Sequence, residues 1–270
     1  MDTSEIWALT TSVVTSILIW VAWYRRIAAF ALRCSPRRER WLLAITPLAC
    51  GGLLWIVLRR WSSADVRNDW LYLGFYLAMG TAWIGFGAEL LPYLGLSPRD
   101  DVLERRNRGA GAAIAGGLLG LTFCFAGGNV GDNAGDGPGW WVVFFCAALA
   151  TAVYTLLWIA LDRLTGLADS IAIDRDTAAG LRLAGFFLGT GLILGRAVAG
   201  NWVSATGTLT DFVRLGWPVL PLWALVAVLE RGLRPSAIEP ARPVLRDGLF
   251  PALLYAAAGL LVLLHAGPVR

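Results

Sequence analysis

Long apolar runs separated by short polar segments dominate the chain. A helix crosses the hydrocarbon core of a bilayer with about 20 mostly apolar residues. Eight stretches meet or approach that length, and none carries a charge at its centre. They are Ile6–Tyr24, Trp41–Leu58, Trp70–Leu91, Gly109–Gly127, Trp140–Leu161, Ala179–Ala199, Phe212–Leu229 and Gly248–His265. The pattern predicts an all-α, polytopic membrane bundle of eight transmembrane helices.

Pairing consecutive spans divides this single transmembrane domain, residues 1–270, into four helical hairpins. Their ranges are 1–69, 70–139, 140–211 and 212–270. The fourth and sixth spans align at an offset of 69 residues, since Ala115-Gly116 matches Ala184-Gly185 and Gly120 matches Gly189. The second and eighth spans match only in position. Regular spacing of this kind indicates an internal repeat, and a two-span unit predicts parallel rather than inverted copies.

Composition supports a membrane protein and excludes an ordinary soluble domain. The chain is 57% hydrophobic and 16% charged, with a mean hydropathy of +0.62, whereas soluble domains have about 45–50% apolar and about 25% charged residues. All 23 basic residues are arginines. Since they concentrate in alternate loops, they are better explained as an orientation signal than as a nucleic-acid surface.

The arginine distribution predicts the orientation. Segments 25–40, 97–108, 162–176 and 230–247 together hold 16 arginines, and the segments on the opposite side hold 5. Cytoplasmic loops carry the arginine excess, so we expect the first set to be cytoplasmic. The chain is then a protein of the bacterial inner (plasma) membrane with both termini outside, in the periplasm.

The fourth span opens in a way that resembles a known family. The stretch from Glu104 to Gly120, ERRNRGAGAAIAGGLLG, resembles the repeat opening of the YjfL-like bacterial membrane proteins, a family of unknown function. Asn107, Gly109 and Gly111 stand where that family has asparagine and two alanines. A second copy begins at Asp174, with Asp176 in place of the asparagine. The resemblance covers roughly residues 70–232, and it implies membrane architecture without any catalytic residue.

Small residues recur four apart along the fourth and sixth spans, where they let helix backbones approach closely. Two interpretations follow: packing between hairpins of one chain, or a face for a homo-oligomer or pore. The candidate residues are Ala112, Gly116, Gly120, Gly185, Gly189, Gly191 and Gly195.

Charged residues near the span ends give two further candidate sites. Charges inside a membrane are costly and are usually paired or functional. We expect Glu89 and Arg182 to form an ion pair between the third and sixth spans, with Glu89 as a proton or cation site as the alternative. On the outer side, the sequence predicts a polar cluster that forms either salt bridges or an anion site. Its members are Asp132, Asp136, Arg196 and Asp211.

The sequence offers no set of residues for catalysis or metal binding. Its four cysteines are dispersed and its one histidine, His265, is far from them in sequence, so we expect no catalytic residue, metal or other cofactor. The predicted function is a non-enzymatic scaffold or accessory subunit in the lipid bilayer. It would pack against itself or another membrane protein. A channel or transporter for a small solute or ion is the alternative.

Overall fold

The computed structural model describes residues 1–33, 38–131, 139–233 and 243–267. Within these ranges the chain is helical and contains no strand. Short 3-10 or π-helical turns at Leu91–Leu94, Pro98–Glu104 and Leu245–Leu249 connect longer helices. The α-helices are α1 Thr3–Arg33, α2 Arg38–Trp61, α3 Ala64–Asn68, α4 Trp70–Leu90, α5 Arg108–Gly127, α6 Trp140–Thr165, α7 Leu167–Ala172, α8 Thr177–Val198, α9 Ala205–Gly216, α10 Val219–Gly232 and α11 Phe250–His265.

Seven helices of the described residues are long and apolar enough to cross a membrane. They contain the predicted spans one to six and eight. The seventh predicted span, Phe212–Leu229, is not one continuous helix: α9 and α10 meet at a bend of 44°. Pro218 lies at the junction, where its ring and missing amide hydrogen interrupt a helix. An eighth crossing exists only if this bent pair is one span.

Helices α5 and α8 form the centre of the bundle. In α5, 83% of the most apolar window is buried within the chain, whereas the figure for α1 is 6%. α8 packs against α5 on one side and against α11 on the other. The described helices therefore surround α5 and α8, whereas α11, with 22% of its apolar window buried, packs against α8 from the outside and α1 exposes most of its surface.

Glycine allows these three helices to touch at their backbones. A Cβ atom on Gly116 of α5 would lie 2.5 Å from the Cα atom of Ala184 in α8. A Cβ atom on Gly185 would meet the backbone of Ala252 in α11 in the same way. Without such a side chain, helix backbones approach closely and dispersion forces act over a large contact.

The two helix contacts recur at nearly constant sequence separation. Gly116 meets Ala184, and 69 residues later Gly185 meets Ala252. Further along the helices, Gly191 approaches Gly120, and Gly259 approaches Gly189 in the same way. The α8–α11 contact thus reproduces the α5–α8 contact, although the eighth span shows no residue match in the sequence.

The starts of α5 and α8 also share a local structure. Arg106 and Arg175 both have positive φ angles, 59° and 57°, which are uncommon for residues other than glycine. Each precedes an N-cap, since Asn107 accepts a hydrogen bond from the amide of Ala110, and Asp176 accepts one from the amide of Ala178. Such caps satisfy amide groups that a helix leaves free at its start.

Replacing Gly116 with alanine tests the backbone contact. The added methyl group meets the backbone of Ala184, and overpacking of this kind costs about 1–3 kcal/mol. Gly74→Ala is the matched control, because nothing lies within 4 Å of a Cβ atom there and alanine favours helix by about 1 kcal/mol over glycine. Thermal unfolding in one detergent, followed by tryptophan fluorescence, should show a lower Tm for Gly116→Ala and an unchanged or higher Tm for Gly74→Ala. Equal Tm values for both variants would contradict the close contact.

Candidate functional site

A buried ion pair joins α8 to α10. The guanidinium group of Arg182 donates to both carboxylate oxygens of Glu230, from Nε at 2.6 Å and from Nη2 at 2.8 Å. Its Nη1 donates to the backbone carbonyl of Asp247 at 2.6 Å. The side chains are 1% and 2% exposed, respectively. One arginine therefore connects α8, the last turn of α10 and the turn that leads into α11.

The geometry of this pair offsets much of the cost of burial. Two charges removed from water are stabilised only when their geometry is good and their remaining hydrogen-bonding groups are satisfied. The two parallel N–H···O bonds are the strong, directional form of an arginine–carboxylate interaction. Removing Glu230 alone would leave Arg182 buried without its counter-charge.

A buried hydroxyl group accompanies the ion pair. Tyr255 of α11 is 2% exposed and lies near Glu230 and Arg182. Within the described part of the chain, its hydroxyl has no hydrogen-bond partner. Arg182, Glu230 and Tyr255 thus form a polar group enclosed by three helices.

The predicted pair between Glu89 and Arg182 is wrong. Glu89 binds Arg26 of α1 at 2.7 Å, with the two side chains 38% and 44% exposed. Helix α4, which carries Glu89, packs against α1, whereas Arg182 faces α10 and the turn before α11. Sequence reasoning missed Glu230 because it placed that residue at the start of a loop. The sequence does contain a signal for Glu230, because it is the single acidic residue in the last turn of an apolar helix.

The small residues predicted as a packing face lie between helices of the same chain. Gly116, Gly120, Gly191 and Gly195 contact backbone across the α5–α8 interface, and Gly185 and Gly189 do so across the α8–α11 interface. Ala112 is half-buried on α5. Because these glycines touch backbone of their own chain, they are not free to contact a second copy.

The predicted outer polar cluster is not brought together within the described residues. Arg196 is 7% exposed and donates to the carbonyls of Ala199, Ala266 and Gly267 at 3.1–3.3 Å. These hydrogen bonds connect the end of α8 to the end of α11. Asp211 is exposed on α9 and makes no ion pair with Arg196. Asp132 and Asp136 lie outside the described residues.

Metal-ligating side chains do not cluster in the parts of the chain that the structure describes. Cys50, Cys124 and Cys146 are separate, buried thiols on α2, α5 and α6. His265 lies in the last turn of α11. Among the ion pairs between described residues, the one of Arg182 with Glu230 has both side chains buried.

Seven apolar helices of spanning length place the chain in the class of multi-pass, all-helical membrane proteins. Comparison with protein-family models, curated proteins and solved structures finds no match.

Glu230→Gln tests the strength of the buried pair. The variant leaves Arg182 buried without its counter-charge, which costs about 3–5 kcal/mol in comparable sites. Glu89→Gln is the matched control in the exposed pair with Arg26, where the cost is about 0–1 kcal/mol. Thermal unfolding of the purified proteins should give a much lower Tm for Glu230→Gln than for Glu89→Gln.

The double variant Arg182→Met with Glu230→Leu separates charge from packing. Replacing both charges by apolar groups of similar size removes the unpaired charge, so we expect its Tm to lie above that of Glu230→Gln. A double variant as unstable as Glu230→Gln would show that the pair contributes through packing and not through charge.

Proposed function

We propose that this chain is a non-enzymatic membrane scaffold or accessory subunit that packs against itself or another membrane protein. The observation that carries the proposal is the backbone-to-backbone packing of α5, α8 and α11. α5 and α8 are in direct contact at the centre of the bundle, which is where a solute pathway would run, and α11 packs closely against the outer side of α8. Such a core suits a rigid support better than a device that opens and closes.

The outer helices supply surfaces suited to a scaffold. Only 6% of the apolar window in α1 is buried within the chain, and the corresponding share in α2 is 28%. Large apolar side chains such as Trp7, Leu18 and Val21 of α1 are exposed. In a bilayer these faces contact lipid or another membrane helix.

We also propose the number of spans, their origin in repeated hairpins and the orientation of the chain. The bent pair of α9 and α10 counts as one crossing, which makes eight, and the recurring contacts of α5, α8 and α11 support descent from repeated hairpins. The arginine distribution supports a bacterial inner-membrane protein with both termini outside. The shared caps at Asn107 and Asp176 fall on the residues that resemble the YjfL-like family.

Extraction from native membranes into lipid nanodiscs tests the scaffold role. Affinity purification of the tagged chain, followed by native mass spectrometry, should yield either a homo-oligomer or a complex with one other membrane polypeptide at a fixed ratio. An untagged chain of the same preparation controls for random capture. A monomer at every protein concentration would contradict the proposal.

Transport of a small solute or ion is the second candidate, and the buried group of Arg182, Glu230 and Tyr255 favours it. Buried ionisable residues in membrane helices often belong to ion or proton pathways. In liposomes with a pH-sensitive dye inside, a transporter of protons would lose flux in Glu230→Gln while Glu89→Gln keeps it. Flux equal to that of empty liposomes for the unsubstituted chain would reject proton transport.

A further inference from the structure

A cavity of about 450 Å³ lies between α4, α5 and α6. Its lining includes Trp83 and Leu90 of α4, Leu118 of α5, and Tyr154 and Trp158 of α6. Its volume is within the range of about 300–1,000 Å³ that is usual for ligand sites.

The cavity lining is almost entirely apolar. None of the described residues that line it is charged, and three of them, Thr151, Tyr154 and Thr155, carry a hydroxyl group. Two of these hydroxyls already form hydrogen bonds: Tyr154 donates to the carbonyl of Gly117 at 3.0 Å, and Thr151 accepts from the indole of Trp83 at 3.0 Å. The lining therefore fits a hydrocarbon and offers little to a polar solute.

The rim of the cavity faces the lipid side of the bundle. Phe86, Leu90 and Phe144 line it and are exposed. Deeper in the cavity, Leu118, Tyr154 and Trp158 are buried. A molecule in the bilayer thus reaches the cavity sideways, between α4 and α6.

The length of the cavity matches one leaflet. From Trp83 to Leu90 along α4, and on through the 3-10 turn to Leu94, the chain rises by about 18 Å. Half of the hydrocarbon core of a bilayer is about 15 Å. We propose that the cavity binds one acyl chain of a membrane phospholipid, with the headgroup at the end marked by Leu94.

The opposite end of the cavity is bounded by an aromatic contact. Trp83 meets Phe144 edge to face, with ring centroids 5.1 Å apart. Beyond it lies a second cavity, of about 540 Å³, which shares these two rings and Phe86 with the first. Four of its twelve lining residues carry hydroxyl groups, Ser4, Thr11, Ser12 and Thr15, against three of fifteen in the first cavity. That lining suits a hydrocarbon less well, so the acyl chain ends at Trp83 and Phe144. This proposal rests on membrane insertion and not on the scaffold role.

A substitution that fills the cavity tests the proposal. Thr155→Phe places a ring where the acyl chain lies, and Leu156→Phe is the matched control, because Leu156 is the next residue on α6 and is exposed outside the cavity. Both proteins are repurified in mild detergent, and phospholipid per chain is measured by native mass spectrometry. We expect one retained phospholipid for the unsubstituted chain and for Leu156→Phe, and an about tenfold loss for Thr155→Phe.

Equal retention in the two variants, or no retention by the unsubstituted chain, would overturn the proposal. Retention of a molecule without an acyl chain would do so as well. If Thr155→Phe does not fold, photolabelling of the unsubstituted protein tests the proposal instead. The protein is placed in a bilayer that contains a phosphatidylcholine with a diazirine near the end of one acyl chain. Labelling should concentrate on residues 83–94 and 144–158. Labelling spread evenly over the exposed face of α1 would contradict a specific site.

Discussion

The close approach of α5, α8 and α11 is the constraint on which the rest of this structure depends. Contacts such as Gly116 with Ala184, and Gly185 with Ala252, belong to two series in which the residue numbers of both partners rise together along the helices. The three helices therefore run parallel. Parallel neighbours require the chain to cross back between them. The helices α6, α9 and α10 serve this purpose.

The buried ion pair follows from that arrangement. Helix α10 returns beside α8, and Glu230 in its last turn lies opposite Arg182 in the second turn of α8. The carbonyl of Asp247 completes the contact just before α11 begins. The bidentate hydrogen bonds fix where α10 and α11 meet α8, because any displacement would leave a charge buried without a partner. The exposed pair of Arg26 and Glu89 imposes no comparable restraint on α1 and α4.

Side-chain size decides where the bundle is closed and where it leaves space. Glycines bring α5, α8 and α11 into backbone contact, whereas bulky rings separate α4, α5 and α6. Trp83 of α4 and Trp158 of α6 lie beside the space between these helices, and their indole groups donate to Thr151 and to the carbonyl of Leu94. The proposed acyl-chain cavity is the space between them.

The sequence by itself determined the positions of most spans, since about 20 apolar residues suffice to identify a helix that fits a bilayer. It also identified the small residues of α5 and α8, because their four-residue spacing is visible along one chain. Only the tertiary structure decided that Arg182 binds Glu230 and that Glu89 binds Arg26. It also revealed the bend at Pro218 and the α8–α11 contact. The reason is physical: hydropathy depends on residues that are close in sequence, whereas the partner of a side chain depends on how each helix is rotated and which helix lies beside it.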